Sequence, residues 1–387
     1  MKTKIRRSQL LVIGCFFGFF LFCLVWGLAQ PDRPSSAAEN RSLAQRPAMR
    51  RVVTDFGGFA RDFESYAADQ FPDREQLIGV YTALELAQGK KFARKAYCLQ
   101  GGWLLTKPTP TKPADLSALQ QALTQAGGLD RPLVWCVLPL KNEALYDLES
   151  AYFSDETGET NKQALTAALA QVEGLTVIDA EAPLVTGTLA DRERYFYKTD
   201  FHWNARGAFA AVQEIARQLA GAGTIAETSV PQAEDFLWSE LGGKRRYQGD
   251  LNVWFSNQFS MQEDIPRYVP KNAADLRYFL HPGDTASVPR ETIIGSGLDK
   301  DPVTYNDVFT YNLGYYRVEN PAAPEAASVL ILKDSFQNAT IDYLSAIFRS
   351  VTVVDPRSYQ ETRDLASLLD ADGIDLVLFF YHQNNVS

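Results

Sequence analysis

Histidine is scarce in this chain of 387 residues: there are only His202, His281 and His382. A multi-histidine metal site is therefore excluded, and any imidazole base must be one of the three. Cysteine is scarce too. Cys15, Cys23, Cys98 and Cys136 form no C-x-x-C pair, which argues against a thiolate zinc site. Net positive charge is absent: 38 Lys and Arg face 47 Asp and Glu, giving −9. A general nucleic-acid binder needs a basic face, so that class is disfavoured. No internal repeat or low-complexity tract occurs. What is present is a normal globular composition, 46% hydrophobic and 22% charged, preceded by one unusual segment.

That segment is the N-terminus. Residues 1–7 carry Lys2, Lys4, Arg6 and Arg7 and no acid. Leu10 to Ala29 is then free of charge, and twenty helical residues span a hydrocarbon core of about 30 Å. The cationic end is expected to stay cytoplasmic, with Trp26 at the far interface. A cleaved signal has a shorter apolar run, and Gly27-Leu28-Ala29 makes only a fair cleavage site, so an uncleaved anchor over 8–29 fits better. The remainder is expected on the extracytoplasmic side, tethered through residues 30–52, whose start is rich in proline and serine. Setting aside the four N-terminal cations leaves 34 against 47 acidic residues, or −13. Outside the cell Cys98 and Cys136 have the option of pairing, but two buried thiols fit equally well.

Residues 53–387 read as one α/β domain. Helical periodicity runs through 56–91. Leu133–Leu138 is a short, wholly apolar run, the mark of a buried parallel strand. Leu175–Ile178 reads as another strand, and Asn204–Leu219 as an amphipathic helix. Residues 224–325 break the alternation and read as an irregular, β-containing insertion. Strand and helix then alternate again: Val329–Leu332, Phe336–Phe348, Val351–Val354, Tyr359–Leu369 and Leu376–Phe380. Such a run predicts a parallel sheet with helices on both faces.

Sites in such sheets lie beyond the C-terminal strand ends. Three segments fall there. Ser335, in Lys333-Asp334-Ser335-Phe336, sits where a strand gives way to a helix; either it is a nucleophile beside free backbone N–H groups or Ser335 or Asp334 simply caps the helix. Asp200-Phe201-His202 places a carboxylate two residues before an imidazole, amid Tyr195, Phe196, Tyr197, Phe201 and Trp203. A carboxylate so placed orients an imidazole, and a structural histidine at a helix start is the alternative. Tyr197, Phe201 and Trp203 are candidates to line a substrate site, or to fill the core. The third segment, Phe380 to Asn385 with His382 and Asn384, reads as a cleft lining or, slightly better, as a solvated tail. Considered together, Ser335, His202 and Asp200 form a possible triad.

Six motifs in order resemble the DHHW family, which is related to the alginate O-acetyltransferases AlgX and AlgJ and has the SGNH-hydrolase fold. Glu39-Asn-Arg-Ser-Leu-Ala-Gln-Arg-Pro47 is similar to the family's opening segment. Asp69-Gln-Phe-Pro-Asp-Arg74 and Gly102-Trp103-Leu104 follow. Tyr197-Lys-Thr-Asp-Phe-His-Trp203, with Gly207-Ala208, resembles the segment that names the family. Lys333-Asp-Ser-Phe336 resembles its nucleophile block, and Val354-Asp-Pro-Arg357 with Tyr359 the strand that follows. The chain departs from the name at Phe201, where the family has its first histidine.

The resemblance implies an SGNH-like parallel sheet flanked by helices. It implies Ser335 as nucleophile, His202 as base and acid, and Asp200 as its orienter, with no cofactor and no metal. The Ser335 N–H is one expected oxyanion donor, and Asn384, ahead of Asn338, is the candidate for the asparagine such sites add. The implied activity is O-acetylation of a cell-surface polysaccharide, fed across the membrane by an MBOAT-type acyltransferase. A glycan O-acetyl esterase, or a non-catalytic glycan-binding scaffold of the same fold, are the alternatives. Lys244, Arg245 and Arg246 are the one tight basic cluster in 224–325 that could meet a polyanion, or else a solvated turn.

Overall fold

The computed structural model describes residues 7–36, 41–93, 96–107, 131–145, 147–148, 157–240, 245–259, 262–361, 365–371 and 373–382. The chain divides into two compact units. One comprises Met1–Arg94 with Val253–Gln258, the other Lys95–Asn252 with Phe259–Ser387.

The first unit is helical. Helix α1 (Arg7–Ala29) is long and apolar enough to cross a membrane, with its large side chains mostly exposed. Helices α2 (Phe56–Asp69) and α3 (Arg74–Ala87) follow. The D-x-F-P segment between them holds part of the stretch read as a tether. Asp69 accepts from the Ala44 N–H at 2.8 Å, and the Gln70 side chain bonds the Arg33 N–H and the Arg33 and Ala44 carbonyls, each at 3.0 Å. Two of the motifs thus meet in space, and residues 33 and 44 are anchored rather than free.

The second unit is a three-layer α/β domain. Its strands are β1 (Leu133–Leu138), β2 (Leu175–Asp179), β3 (Arg277–Phe279), β4 (Tyr315–Glu319), β5 (Glu325–Lys333), β6 (Phe348–Val354) and β7 (Leu376–His382). They lie in the order β3-β4-β6-β5-β7-β1-β2. The five strands from β6 to β2 are parallel, while β3 and β4 pair antiparallel at the edge. The sheet is therefore mixed. The stretch 224–325 supplies its two antiparallel strands, which are short and interrupted by irregular chain, so their period is weak in sequence.

Side-chain alternation explains the layers. In β1, Val134, Cys136 and Leu138 enter one core, and Leu133, Trp135 and Val137 enter the other. Strand β7 divides in the same way, with Leu376, Leu378 and Phe380 opposite Val377 and Phe379. Strands buried on both faces must be apolar throughout, which is what the run 133–138 displays. One face is covered by α5 (Ala205–Gly221) and α6 (Ile341–Ile347), the other by α4 (Thr157–Leu169) and α7 (Leu365–Ala371). Helix α5 presents Ala208, Val212, Ile215 and Leu219 at helical spacing, and starts where the Asn204 side chain accepts from the Arg206 and Gly207 N–H groups. Cys136 is a buried thiol outside any disulfide, so it does not pair with Cys98.

Candidate active site

Strand β5 ends at Lys333, and the chain turns into a 3-10 segment, Ser335–Ala339. Asp334 caps that turn: its carboxylate accepts the Phe336 N–H at 2.9 Å. The cap is thus Asp334, which leaves the Ser335 hydroxyl available. That hydroxyl lies 2.9 Å from His202 Nε2, and Asp200 Oδ1 lies 2.7 Å from His202 Nδ1. A nucleophile and its base must be within about 2.6–3.2 Å, and both contacts meet that requirement. The Ser335 N–H, an expected oxyanion donor, has no acceptor among the described residues.

Asp200 is fully buried and richly bonded. Besides the ring it accepts the His202 N–H at 3.0 Å, the Tyr247 hydroxyl at 3.1 Å and the Asp250 N–H at 3.2 Å. Burial pushes its carboxyl up, but the His202 charge and these donors prevail and hold it below the usual range. A carboxylate that stays ionised is what an imidazolium needs behind it. The Asp250 carboxyl lies within 4.8 Å of ligand atoms of Asp200 and His202. The Asp250 residue is open to solvent, yet its carboxyl packs among protein atoms, and desolvation, then Asp200, pushes it up to about 6. These three side chains are the one group among the described residues with metal-like spacing, but both nitrogens of His202 are already hydrogen-bonded.

Two buried charges pin the Asp200 segment. Lys141, just beyond the C-terminal end of β1, donates to the carbonyls of Leu104, Lys198 and Asp200 at 2.8, 2.8 and 2.7 Å. Burial pushes its amine down to about 7, with Glu263 and Asp200 pulling the other way, and three carbonyl acceptors match the three protons of an ammonium. Glu263 accepts the Lys198 and Thr199 N–H groups and the Thr199 hydroxyl at 2.6, 3.1 and 2.9 Å, and burial holds it above the usual carboxylate range. Gly249 approaches so closely that a Cβ there would lie 2.3 Å from the Thr199 carbonyl carbon and oxygen. Above the ring, Tyr305 stacks on His202 with centroids 3.9 Å apart, and its hydroxyl donates to the Ser335 carbonyl at 3.2 Å.

The aromatic candidates separate. Phe201 is half-buried and leans on the His202 ring at 4.0 Å, so it remains a candidate to line the site. Tyr197 and Trp203 do not line a cleft. Trp203 is wholly buried and donates its indole N–H to the Phe336 carbonyl at 3.0 Å, while Tyr197 is buried against Tyr247 with centroids 4.1 Å apart. They build the wall behind the site. Asn384 lies outside the described residues. Asn338 is buried, accepts from Lys333 and donates to Asn312 at 3.1 Å, so its amide is held away from oxyanion duty. Arg246 pairs with Asp301 at 3.1 Å, which neutralises part of the basic cluster; Lys244 lies outside the described residues.

The tail reading of 381–382 is corrected. Strand β7 continues through His382, whose Nδ1 lies 2.6 Å and whose N–H lies 2.8 Å from Asp334 Oδ2. A second aspartate–histidine pair therefore adjoins the serine, with Phe336 between the two imidazoles at 4.9 and 5.1 Å. The sequence signal was the run of apolar residues reaching Tyr381. Lys141, Glu263, Tyr247, Asp250 and Tyr305 were also missed. Of these, only Lys141 had a signal, its place at the end of a predicted strand.

Residues 104–276 match the ALGX family model, an SGNH hydrolase-like domain of acetyltransferase AlgX. The matched segment holds Asp200 and His202 and ends before Ser335. The chain is similar to Bacillus cereus PatB1, with 24% identity, TM-score 0.60, and coverage of 74% of this chain and 95% of that one. It is similar to a DHHW family protein from Eubacterium siraeum, with 17% identity, TM-score 0.55, and coverage of 75% and 91%. The O-acetyltransferase domain of Pseudomonas putida AlgJ aligns at 15% identity and TM-score 0.42, over 75% of this chain and 91% of that one. No curated protein matches the chain. The fold is SGNH-hydrolase-like, and the DHHW and AlgX resemblance carried by the motifs is met by the family model and by the DHHW structure.

Proposed function

From this SGNH-hydrolase-like fold, we propose a membrane-anchored, extracytoplasmic O-acyltransferase that acetylates a cell-surface glycan through a Ser335 acyl-enzyme. The observation that carries this reading is the chain of contacts from Ser335 to His202 at 2.9 Å and from His202 to Asp200 at 2.7 Å. In the first step Ser335 Oγ attacks the acyl carbonyl while His202 Nε2 takes its proton. The tetrahedral oxyanion faces the Ser335 N–H. The donor's C–O bond breaks, and His202 returns the proton to the leaving oxygen. A glycan hydroxyl then loses its proton to His202 and attacks the acyl-enzyme, and Ser335 recovers its proton as the acetyl ester leaves. Asp200 stays ionised throughout and stabilises the imidazolium.

Acetyl donors are cytoplasmic, so this reading requires a membrane partner of the MBOAT type to deliver the acyl group. Helix α1, with the cationic residues 1–7 inside, would hold the domain beside it. The test is to treat the detergent-solubilised chain with an activated acetyl ester or an aryl sulfonyl fluoride. PatB1, similar in fold, has been solved with a sulfonyl adduct. Wild-type protein is expected to gain one acyl or sulfonyl group on the peptide containing Ser335, and Ser335→Ala none. Absence of a Ser335-dependent adduct with either reagent overturns the nucleophile assignment. Turnover of the acetyl adduct by water, with no transfer to added sugars, would favour the esterase.

A further inference from the structure

The second unit contains a cleft of about 630 Å³ lined by none of Ser335, His202 and Asp200. Val269, Leu276, Val288 and Leu298 give it apolar walls. Its polar groups are unusual. Arg267 is half-buried, and its guanidinium has no hydrogen bond or ion pair among the described residues. Tyr278 is 3% exposed, and its hydroxyl has no hydrogen-bond partner among the described residues. Arg290 is neutralised by Asp342, with contacts of 2.8 and 2.6 Å. Glu291 lies in the lining and is exposed.

We infer that this cleft binds an organic oxyanion, a carboxylate or phosphate ester on a body with one apolar face, held by Arg267 and Tyr278. Buried polar groups are almost always paired, and leaving a buried hydroxyl unpaired is costly. A guanidinium fork matches the two oxygens of a carboxylate or phosphate, and a phenol beside it supplies a further donor. Burial holds the Arg267 guanidinium below its usual range, Asp342 offsets part of this, and Arg290 adds repulsion. An anion in the cleft relieves both. The size also fits, since small-molecule sites run to about 300–1,000 Å³, mostly apolar with a few placed polar groups. One stretch of chain runs from the cleft to the His202 ring. Ile294 and Gly295 line the cleft, and further along the same segment Tyr305 stacks on His202. The site therefore gives a protein of net negative charge a defined place to hold an acidic ligand.

The experiment is equilibrium binding to the detergent-solubilised full chain, with glucuronate, glucose 6-phosphate and neutral glucose as probes. Saturable binding of an anionic sugar, with none for glucose, is expected; which of the two binds identifies carboxylate or phosphate. Arg267→Gln and Tyr278→Phe should each weaken it about tenfold or more, as expected for losing one charge-assisted hydrogen bond. Ser335→Ala should leave it unchanged. The Tyr278→Phe variant removes an atom with no partner among the described residues, so it should fold as wild type and decides the matter if Arg267→Gln does not fold. Absence of saturable anion binding up to about 10 mM overturns the assignment, as does equal binding of glucose or an undiminished affinity in Tyr278→Phe.

Discussion

At the scale of the residue, the site depends on which carboxylates are ionised. Asp250 is pushed up to about 6, and above that pH it places a second negative charge near His202. Above that pH the imidazolium formed in the transition state has a second carboxylate close by. Asp250→Asn should therefore lower kcat/KM above about pH 6, by a few-fold given solvent screening, and leave it near wild type below. An identical profile in wild type and variant would remove Asp250 from the electrostatics of the site. Asp334 is a different case. Burial pushes it up, but hydrogen bonding to His382, the His382 charge and the Phe336 N–H prevail, so its folded value is depressed. Stability from such a group is present above the unfolded value of about 3.9 and is lost as pH falls through the folded one. Asp334→Asn turns one acceptor into an N–H₂ facing either Phe336 or His382 donors, at about 2–3 kcal/mol near pH 7. The gap between wild type and variant in denaturant unfolding should then narrow steadily below about pH 4. A gap independent of pH would show that the carboxylate charge contributes nothing.

At the scale of the element, legibility followed locality. The apolar runs at 133–138, 329–332 and 376–380 announced β1, β5 and β7, because a strand buried on both faces has no polar choices. Asp200 and His202 were legible because a two-residue spacing brings a carboxylate to an imidazole without long-range help. Ser335 was legible as a strand–helix junction, although what freed its hydroxyl, the capping by Asp334, needed the structure. Strands β3 and β4 were hidden by their shortness. The Lys141–Glu263 clamp was hidden because its acceptors are backbone carbonyls and amides, which carry no side-chain signature. Gly249 belongs to the same clamp. A methyl group there would meet Thr199 backbone at 2.3 Å and the Asp200 nitrogen at 2.4 Å, and rigid backbone has to move. Gly249→Ala should keep the overall fold by circular dichroism. It should lose about 10²-fold in kcat/KM on a small activated ester, the usual result of displacing a catalytic group by about an ångström. Full activity in that variant would mean that the Asp200 segment is held by the Lys141 and Glu263 bonds alone.

At the scale of the whole molecule, the long apolar helix and the candidate active site belong to different units. Helix α1 exposes Leu11, Phe17, Leu21 and Phe22, each above 60%, a surface compatible with a nonpolar surround. At about 1.5 Å per residue its 23 residues extend about 35 Å, enough for the hydrocarbon core. The Ser335, His202 and Asp200 side chains all come from the second unit, and so do the groups that brace them. Removing residues 1–29 should therefore transfer the protein from the membrane to the soluble fraction while leaving kcat/KM on a small activated ester unchanged. The first unit should lose stability, because Arg46 donates to the Leu28 carbonyl at 3.0 Å and Gly27 packs against Pro72. Transfer to a glycan in cells should fail even so, since the shortened chain no longer stays beside a membrane donor. Two outcomes separate the alternatives. A full-length chain recovered without its first 29 residues would identify a cleaved signal, and undiminished glycan acetylation by the soluble form would dispense with a membrane-bound acyl donor.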